Sequence, residues 1–410
     1  MRTFYPKSLR LSARTFAGLE PLLANELRGL GARKIREVRR AVTFEGDQNL
    51  MYRALIHCRT ALRIHRILLA FRAFDEEELY GGIAEYDWGR WMRPVNTLAI
   101  DPVVHSDIFR HSHFAAQKAK DAIVDRVRMR YRQRPSVDVD DPDYRIQLRI
   151  DRDRVEVALD ASGDSLHKRG YRTEAGQAPI NEVLAAGMLK LAGYKGERPF
   201  ADLFCGSGTI AIEAGLIATR TAPGLLRESH GCMRWRDADE IAYEAAREEA
   251  RMKRRRSAPI MLATDKDEYA IGMTERNAKR AGLSGLIEAR QGLATEVFPP
   301  ASEGLLVSNP PYGERMDEED LAGLYKALGD NFKQNWTGWS AWLLSSSKQA
   351  LGAVGLRTSK RLALRNASLD CKFHRFDLYA GTKKVRSPQA EGEVTEESSA
   401  PDSSDQPEDA

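Results

Sequence analysis

The stretch RPFADLFCGSGTIAIEAGLIA, residues 198–218, restricts the fold of this chain more than any other. An apolar strand ends at Asp202, Leu203 and Phe204, a turn follows through Cys205, Gly206, Ser207 and Gly208, and a helix begins near Thr209. Glycines let a backbone approach a ligand closely, and a helix N-terminus offers N–H groups without partners. Gly206, Gly208 and Ala211 also meet the dinucleotide fingerprint GxGxxA, but a nicotinamide-binding fold wants a ribose-binding acid about 20 residues on, and no strand ends there. Instead an Arg-rich insertion intervenes, containing Arg251, Lys253, Arg254, Arg255 and Arg256, and the second strand, in APIMLATDKD, closes at Asp265.

From Pro179 onward the order helix, strand, glycine turn, helix, strand predicts a parallel α/β sheet. A later apolar run reads as another buried strand and stops in VSNPPYGER, residues 307–315. Proline cannot continue a strand ladder, so Pro310 and Pro311 force a rigid turn that carries Asn309 and Tyr312. Alone, such a turn is as readily a surface loop as a site.

The first half has a different rhythm. Leu9–Phe16 is strand-like, and GLEPLLANELRGLGA is helical, with Leu19, Leu22, Leu23 and Leu27 on one face and Gly29 and Gly31 as a stop. KIREVRRAVTFEG reads as strands, and QNLMYRALIHCRTALRIHRILLAF, residues 48–71, as one long amphipathic helix. A second α+β unit runs from about residue 66, with a helix in SHFAAQKAKDAIVDRVRMRYRQR and a hairpin of two alternating strands joined at DRD. Arg126, Arg128, Arg130 and Arg132 spread around that helix and mark the unit as a candidate nucleic-acid surface.

Charge supports a polyanionic partner. The formal net charge is +4, yet residues 387–410 hold eight acids and no Lys or Arg, so the body carries 63 basic and 51 acidic residues. That tail is too poor in apolar residues to offset its ordering entropy and is expected to be disordered. Cys58, Cys205, Cys232 and Cys371 stand far apart, without a CxxC pair, which argues against structural zinc and disulfides and fits a reducing cytoplasm. No apolar run reaches the length of a membrane span.

Asp202 before the turn, Asp265 after the second strand and NPPY after a later one together resemble the class I S-adenosylmethionine-dependent methyltransferases. SGDSLHKRGYRTEAGQAPINEVLAAGMLKLAGY, AIVDRVR and the two final strands in KRLALRNASLDCKFHRFDLYAG extend the resemblance to the bacterial 23S ribosomal RNA guanine-N2 methyltransferases (RlmL-like). That resemblance implies an α/β, Rossmann-like, seven-stranded methyltransferase domain preceded by an α+β ferredoxin-like and THUMP RNA-binding region. The boundaries expected are 1–65 ferredoxin-like, 66–160 THUMP, 161–178 linker, 179–386 methyltransferase and 387–410 acidic tail.

By the same resemblance S-adenosyl-L-methionine is held by Pro179, Asn181, Asp202, Phe204, Cys205, Gly206, Gly208, Thr209, Asp265, Lys266 and Asn309. Gln291 stands where the family usually has an acid, and its side-chain oxygen can still accept a hydrogen bond. Lys168, Arg169 and Arg172 fall where the linker meets RNA. The expected partner is large-subunit ribosomal RNA, free or as an assembly intermediate, with neither metal nor membrane.

NPPY then has a chemical reading. The lone pair of a nucleobase amine is delocalised into the ring, which makes it a poor nucleophile. Asn309 and the Pro310 carbonyl can hold its two N–H groups, with Pro311 fixing the geometry in advance. Tyr312 is expected to stack on the base. NPPY also serves DNA adenine and protein glutamine methylation, and related THUMP enzymes act on tRNA. A non-catalytic RNA-binding assembly factor is the rival of a different class, although it has no need of Asp202, Asp265 and NPPY together.

Overall fold

An eight-stranded sheet and a seven-stranded sheet carry the chain in a computed structural model that describes residues 8–173, 180–312 and 317–381. The first half runs β1 (Leu9–Arg14), α1 (Glu20–Gly29), β2 (Arg33–Val38), β3 (Ala41–Gly46), α2 (Gln48–His57), β4 (Arg63–Arg72), α3 (Glu76–Ala84) and α4 (Trp88–Trp91). It continues with β5 (Thr97–His105), α5 (Ser112–Tyr131), β6 (Ser136–Val137), β7 (Tyr144–Asp151) and β8 (Arg154–Asp160). The strand order is β2-β3-β1-β4-β8-β7-β5-β6.

Residues 48–71 are not one helix. α2, capped by the Asp47 carboxylate accepting from the Leu50 N–H at 2.7 Å, ends at His57, and β4 begins at Arg63. The apolar positions of 64–71 suit either period, and pairing decides between them. β4 lies between β1 and β8, so both of its edges are used in ladders. The expected boundary at 65/66 therefore falls inside a central strand, and the first two segments share one sheet.

The second half runs α6 (Glu182–Leu191), β9 (Phe200–Asp202), α7 (Thr209–Ala218), α8 (Glu240–Met252), β10 (Met261–Asp265), α9 (Glu268–Arg280), β11 (Glu288–Gln291) and β12 (Gly304–Ser308). It closes with α10 (Glu318–Asn335), β13 (Trp339–Ser345), α11 (Lys348–Ala353), β14 (Thr358–Asn366) and β15 (Leu369–Asp377). The order β11-β10-β9-β12-β13-β15-β14, with β15 antiparallel to both neighbours, is the expected seven-stranded arrangement. GLLVS in β12 is buried along its whole length, as a parallel strand covered on both faces must be. α6 and α7 cover one face of this sheet, and α10 and α11 the other.

The insertion between α7 and β10 is helical only in part, with two 3-10 turns (Pro223–Leu226, Gly231–Arg234) before α8. Its Cys232, Trp235, Tyr243, Ala246 and Ala250 enter the hydrophobic core of the first half. There the Arg66 guanidinium, 4.6 Å from the Trp91 ring centre, forms a buried ion pair with Asp237. The Gln48 amide donates to the Asp237 carbonyl at 2.7 Å. Further back, Arg59 donates to the carbonyls of Leu216 and Thr221, at 2.9 and 2.7 Å, and Glu26 pairs with Lys190 at 3.1 Å. These ties make both halves one compact unit.

Asp237→Ala leaves a guanidinium buried without its counter-charge and should cost about 3–5 kcal/mol of stability. Urea denaturation checks this; a loss within about 0.5 kcal/mol, typical of a surface change, would show that the pair contributes nothing.

Candidate active site

β9, β10, β11 and β12 run parallel and end on one edge of the sheet. That edge brings together Asp202, Asp265, Gln291 and Asn309 from segments more than 100 residues apart. The glycine turn leaves β9 there, with Gly206 at φ +53° and Gly208 at φ +82°, conformations that L side chains rarely adopt. α9 braces the turn from behind. Thr274 donates to the Gly206 carbonyl and Asn277 to the Ser207 carbonyl, both at 3.0 Å, and a Cβ at Gly208 would stand 2.8 Å from the Thr274 methyl. A Cβ at Gly206 would meet nothing within 4 Å, so the turn is open on its other side. Thr274 and Asn277 escaped the sequence reading because nothing in an amphipathic helix announces which polar residues face a distant loop.

Asp265 closes the front of the turn. One of its oxygens accepts from the Gly206 N–H at 2.9 Å and the other from the Asp267 N–H at 3.1 Å. The Gln291 amide nitrogen donates to the Lys266 carbonyl at 2.9 Å, which leaves the side-chain oxygen as an acceptor, while the Lys266 side chain is exposed. Phe204 is half-buried, and Cys205 is buried with its sulfur 3.5 Å from the Thr274 hydroxyl. Asn181 caps α6 by accepting from the Val183 N–H, and Thr209 opens α7. Pro179 lies outside the described residues.

Ser308, not anticipated from sequence, joins the two central strands. Its hydroxyl donates to one Asp202 oxygen and accepts from the Leu203 N–H, each at 2.8 Å. Burial pushes the Asp202 carboxyl up to about 7, with Asp265 adding to the rise and the Ser308 and Phe204 donors opposing it. The second Asp202 oxygen and the Asn309 side-chain oxygen are both buried without a hydrogen-bond partner. Buried acceptors are seldom left so, and a ligand with N–H donors would satisfy them.

Two expectations change here. Tyr312 is 7% exposed, packed in the core beside α6, and its hydroxyl accepts from the Asn366 amide at 2.8 Å. In this conformation the ring is covered and offers no stacking face. Arg169 is no surface cation either. It is 2% exposed, reaches Glu213 at 3.4 Å, and donates to the carbonyls of Leu166 and Arg59 at 2.7 and 2.6 Å, which makes it a strut between the halves.

Arg172 is mostly buried, pairing with Glu182 at 2.9 Å and donating to the Ile180 carbonyl and the Thr209 hydroxyl. Lys168 is exposed and pairs with Asp164. Arg126, Arg128, Arg130 and Arg132 stand on and just after α5 in the first half, where Arg130 pairs with Asp87 at 3.2 Å. A cavity of about 950 Å³ opens between the halves, but no residue of the glycine turn or of NPPY lines it. Its cations are largely matched by acids, as in Arg63–Asp160, Arg172–Glu182 and Arg234–Asp141.

Residues 169–375 match the family described as RMKL-like, methyltransferase domain. Residues 73–160 match the THUMP domain, and 10–65 the RlmL ferredoxin-like domain. The ribosomal RNA large subunit methyltransferase K/L of Syntrophotalea carbinolica is 39% identical over 92% of this chain. The chain spans 55% of that protein's length, about half. A Synechocystis protein assigned to the RNA methyltransferases is 37% identical, over 88% of this chain and 95% of its own. A protein assigned to the methyltransferases and crystallised with SAH superposes with a TM-score of 0.83 at 28% identity, covering 92% of this chain and 100% of that one.

The raised Asp202 carboxyl makes stability depend on pH. A folded value of about 7, above the unfolded 3.8, contributes stability that is present below the unfolded value and lost as pH rises through about 7. Glu182, also pushed up to about 7 by burial, acts in the same direction. In ligand-free protein Asp202→Asn should shrink the fall in urea midpoint between about pH 5 and about pH 8. An undiminished fall would mean that Asp202 is already ionised in the folded protein.

Proposed function

Because this chain belongs to the RMKL-like methyltransferase family, we propose that it transfers the methyl group of S-adenosyl-L-methionine to the exocyclic N2 of a guanine in 23S ribosomal RNA. The carrying observation is the buried, partnerless Asn309 oxygen at the end of β12, beside the strand that carries the glycine turn. An acceptor kept dry and unpaired suits an N–H donor that arrives with a substrate.

The turn that is open at Gly206, the Asp265 carboxylate and the partnerless Asp202 oxygen fit the cofactor's backbone, ribose hydroxyls and amine. Gln291 and Lys266 would hold its adenine, and Phe204, Cys205, Gly208 and Thr209 shape the turn. Asn181 opens α6 near the same edge, where Arg172 joins the Ile180 carbonyl to the Thr209 hydroxyl. When bound, the sulfonium supplies an electrophilic methyl.

The chain's own contribution is positioning. Asn309 and the Pro310 carbonyl accept the two amine N–H groups and favour a lone pair aimed at the methyl, and these acceptors oppose the positive charge that develops on nitrogen. Pro311 stiffens the loop, and Tyr325 donates to its carbonyl at 3.3 Å. The proton then leaves to water, since a methylated aryl ammonium is acidic. Tyr312 reaches a base only by leaving Asn366, so stacking requires a rearrangement of the loop.

The first half, with its THUMP domain, captures the RNA, and Lys168 and the α5 arginines contact phosphates. The four cysteines are free and buried, which suits a cytoplasmic setting. Among the described residues no helix is long and apolar enough to cross a membrane.

Asn309→Ala should lower single-turnover methyl transfer roughly 10²–10³-fold with little change in RNA affinity, as for other preorganised polar contacts. Mass spectrometry of ribosomal RNA from cells with and without the gene tests the substrate. The reading fails if N2-methylguanosine in the large-subunit RNA is unchanged, or if Asn309→Ala reacts at the wild-type rate.

A further inference from the structure

Beyond NPPY, the β14–β15 hairpin forms the outer edge of the methyltransferase sheet. Its inward positions, Leu362, Leu364, Cys371 and Phe373, pack into the core beside α6. The opposite face carries Arg361, Arg365 and Lys372, all exposed. Register places them together, with Arg361 opposite His374, Ala363 opposite Lys372, and Arg365 opposite Asp370. None of the three cations has a carboxylate at ion-pair distance among the described residues, and Arg365 makes only a 3.4 Å bond to the Ser368 carbonyl. Burial and the closeness of Arg361 and Lys372 hold the His374 imidazole below its ordinary value, as a gathering of positive charge would.

The position of this face matters more than its charge. Lys372 is level with Ser345, the last residue of β13, on the sheet edge where NPPY leaves β12. Arg365 precedes Asn366, whose amide holds the Tyr312 hydroxyl at 2.8 Å. At the tip Leu369 is 46% exposed, an apolar contact for an unstacked base.

Resting on the methyl-transfer reading above, we infer that the β14–β15 hairpin is a docking edge for the single-stranded RNA that flanks the target guanine, with Arg361, Arg365 and Lys372 contacting its phosphates. This edge stands one strand away from the loop that carries Asn309, and its unpaired cations complement the phosphates of a strand delivering a base there. The hairpin thereby supplies local grip, separate from capture by the first half.

The triple variant Arg361→Ala, Arg365→Ala, Lys372→Ala tests this with a fluorescein-labelled single-stranded RNA oligonucleotide, read by anisotropy over a salt series. Affinity should fall roughly tenfold or more, and the log–log salt slope should become shallower by about 2, as for three lost single-strand phosphate contacts. Cofactor affinity by calorimetry should be unchanged. The charge-keeping variant Arg361→Lys, Arg365→Lys should bind within about twofold of wild type, since phosphate positioning here needs charge. Wild-type affinity and slope in the triple variant would overturn the inference. So would a lysine variant as weak as the alanine one, which would indicate a damaged hairpin. Hairpin-dependent binding without any N2-methylguanine formed by the wild type would support the docking edge and sink the methyl-transfer reading instead.

Discussion

The site depends on one buried hydroxyl. Ser308 donates to Asp202 and accepts from the Leu203 N–H, so it locks the strand that launches the glycine turn to the strand that launches NPPY. Two loops from distant parts of the sequence thereby share one rigid reference. The methyl transfer proposed for this site would need donor and acceptor atoms in near-attack geometry, and a displacement of an ångström costs far more than the loss of a surface contact. Asp202 and Asn309 face the same edge with an acceptor each to spare, which is a cost to the empty fold and a gain once a ligand is bound.

A second set of polar ties fixes the half that holds the THUMP domain against the half that holds the methyltransferase domain. Arg59, Glu26, Arg169 and the Arg66–Asp237 pair all cross the boundary, and several are buried. An exposed linker would let the halves swing. Here residues 161–173 are pinned by Arg169 and Arg227, whose guanidiniums are spent on backbone carbonyls. Arginines that look like RNA contacts in a sequence are therefore partly mortar: their planar forks satisfy several carbonyls at once, which suits irregular segments that have no ladder of their own.

The α/β half was largely legible. Strand ends at Asp202, Asp265 and Ser308 follow from apolar runs stopped by polar or proline residues, a local signal, whereas the polar β11 that ends at Gln291 was placed only by the family resemblance. The first half was less so. Residues 48–71 keep an apolar pattern across a change from helix to strand, and only pairing with β1 and β8 settles it. Ser308, Thr274 and Asn277 were invisible for a related reason, since their partners lie 68 to 106 positions away, along a path the sequence does not print. The burial of Tyr312 depends on Asn366 and Cys371 from the last hairpin, again a tertiary fact.

The insertion that closes the first core has a consequence for synthesis. β8 ends at Asp160, but Tyr243, Ala246 and Ala250 of α8, which packs on α2, arrive up to about 90 residues later. At roughly 5–20 residues per second, a nascent chain carries an unfinished N-terminal core for several seconds. During that time the apolar flank of α2 is bare, and the usual order of translation, one domain complete before the next begins, does not apply. Folding of the first half is thus tied to emergence of the second, so a chain cut short before α8 exposes a sticky surface instead of releasing a finished N-terminal domain.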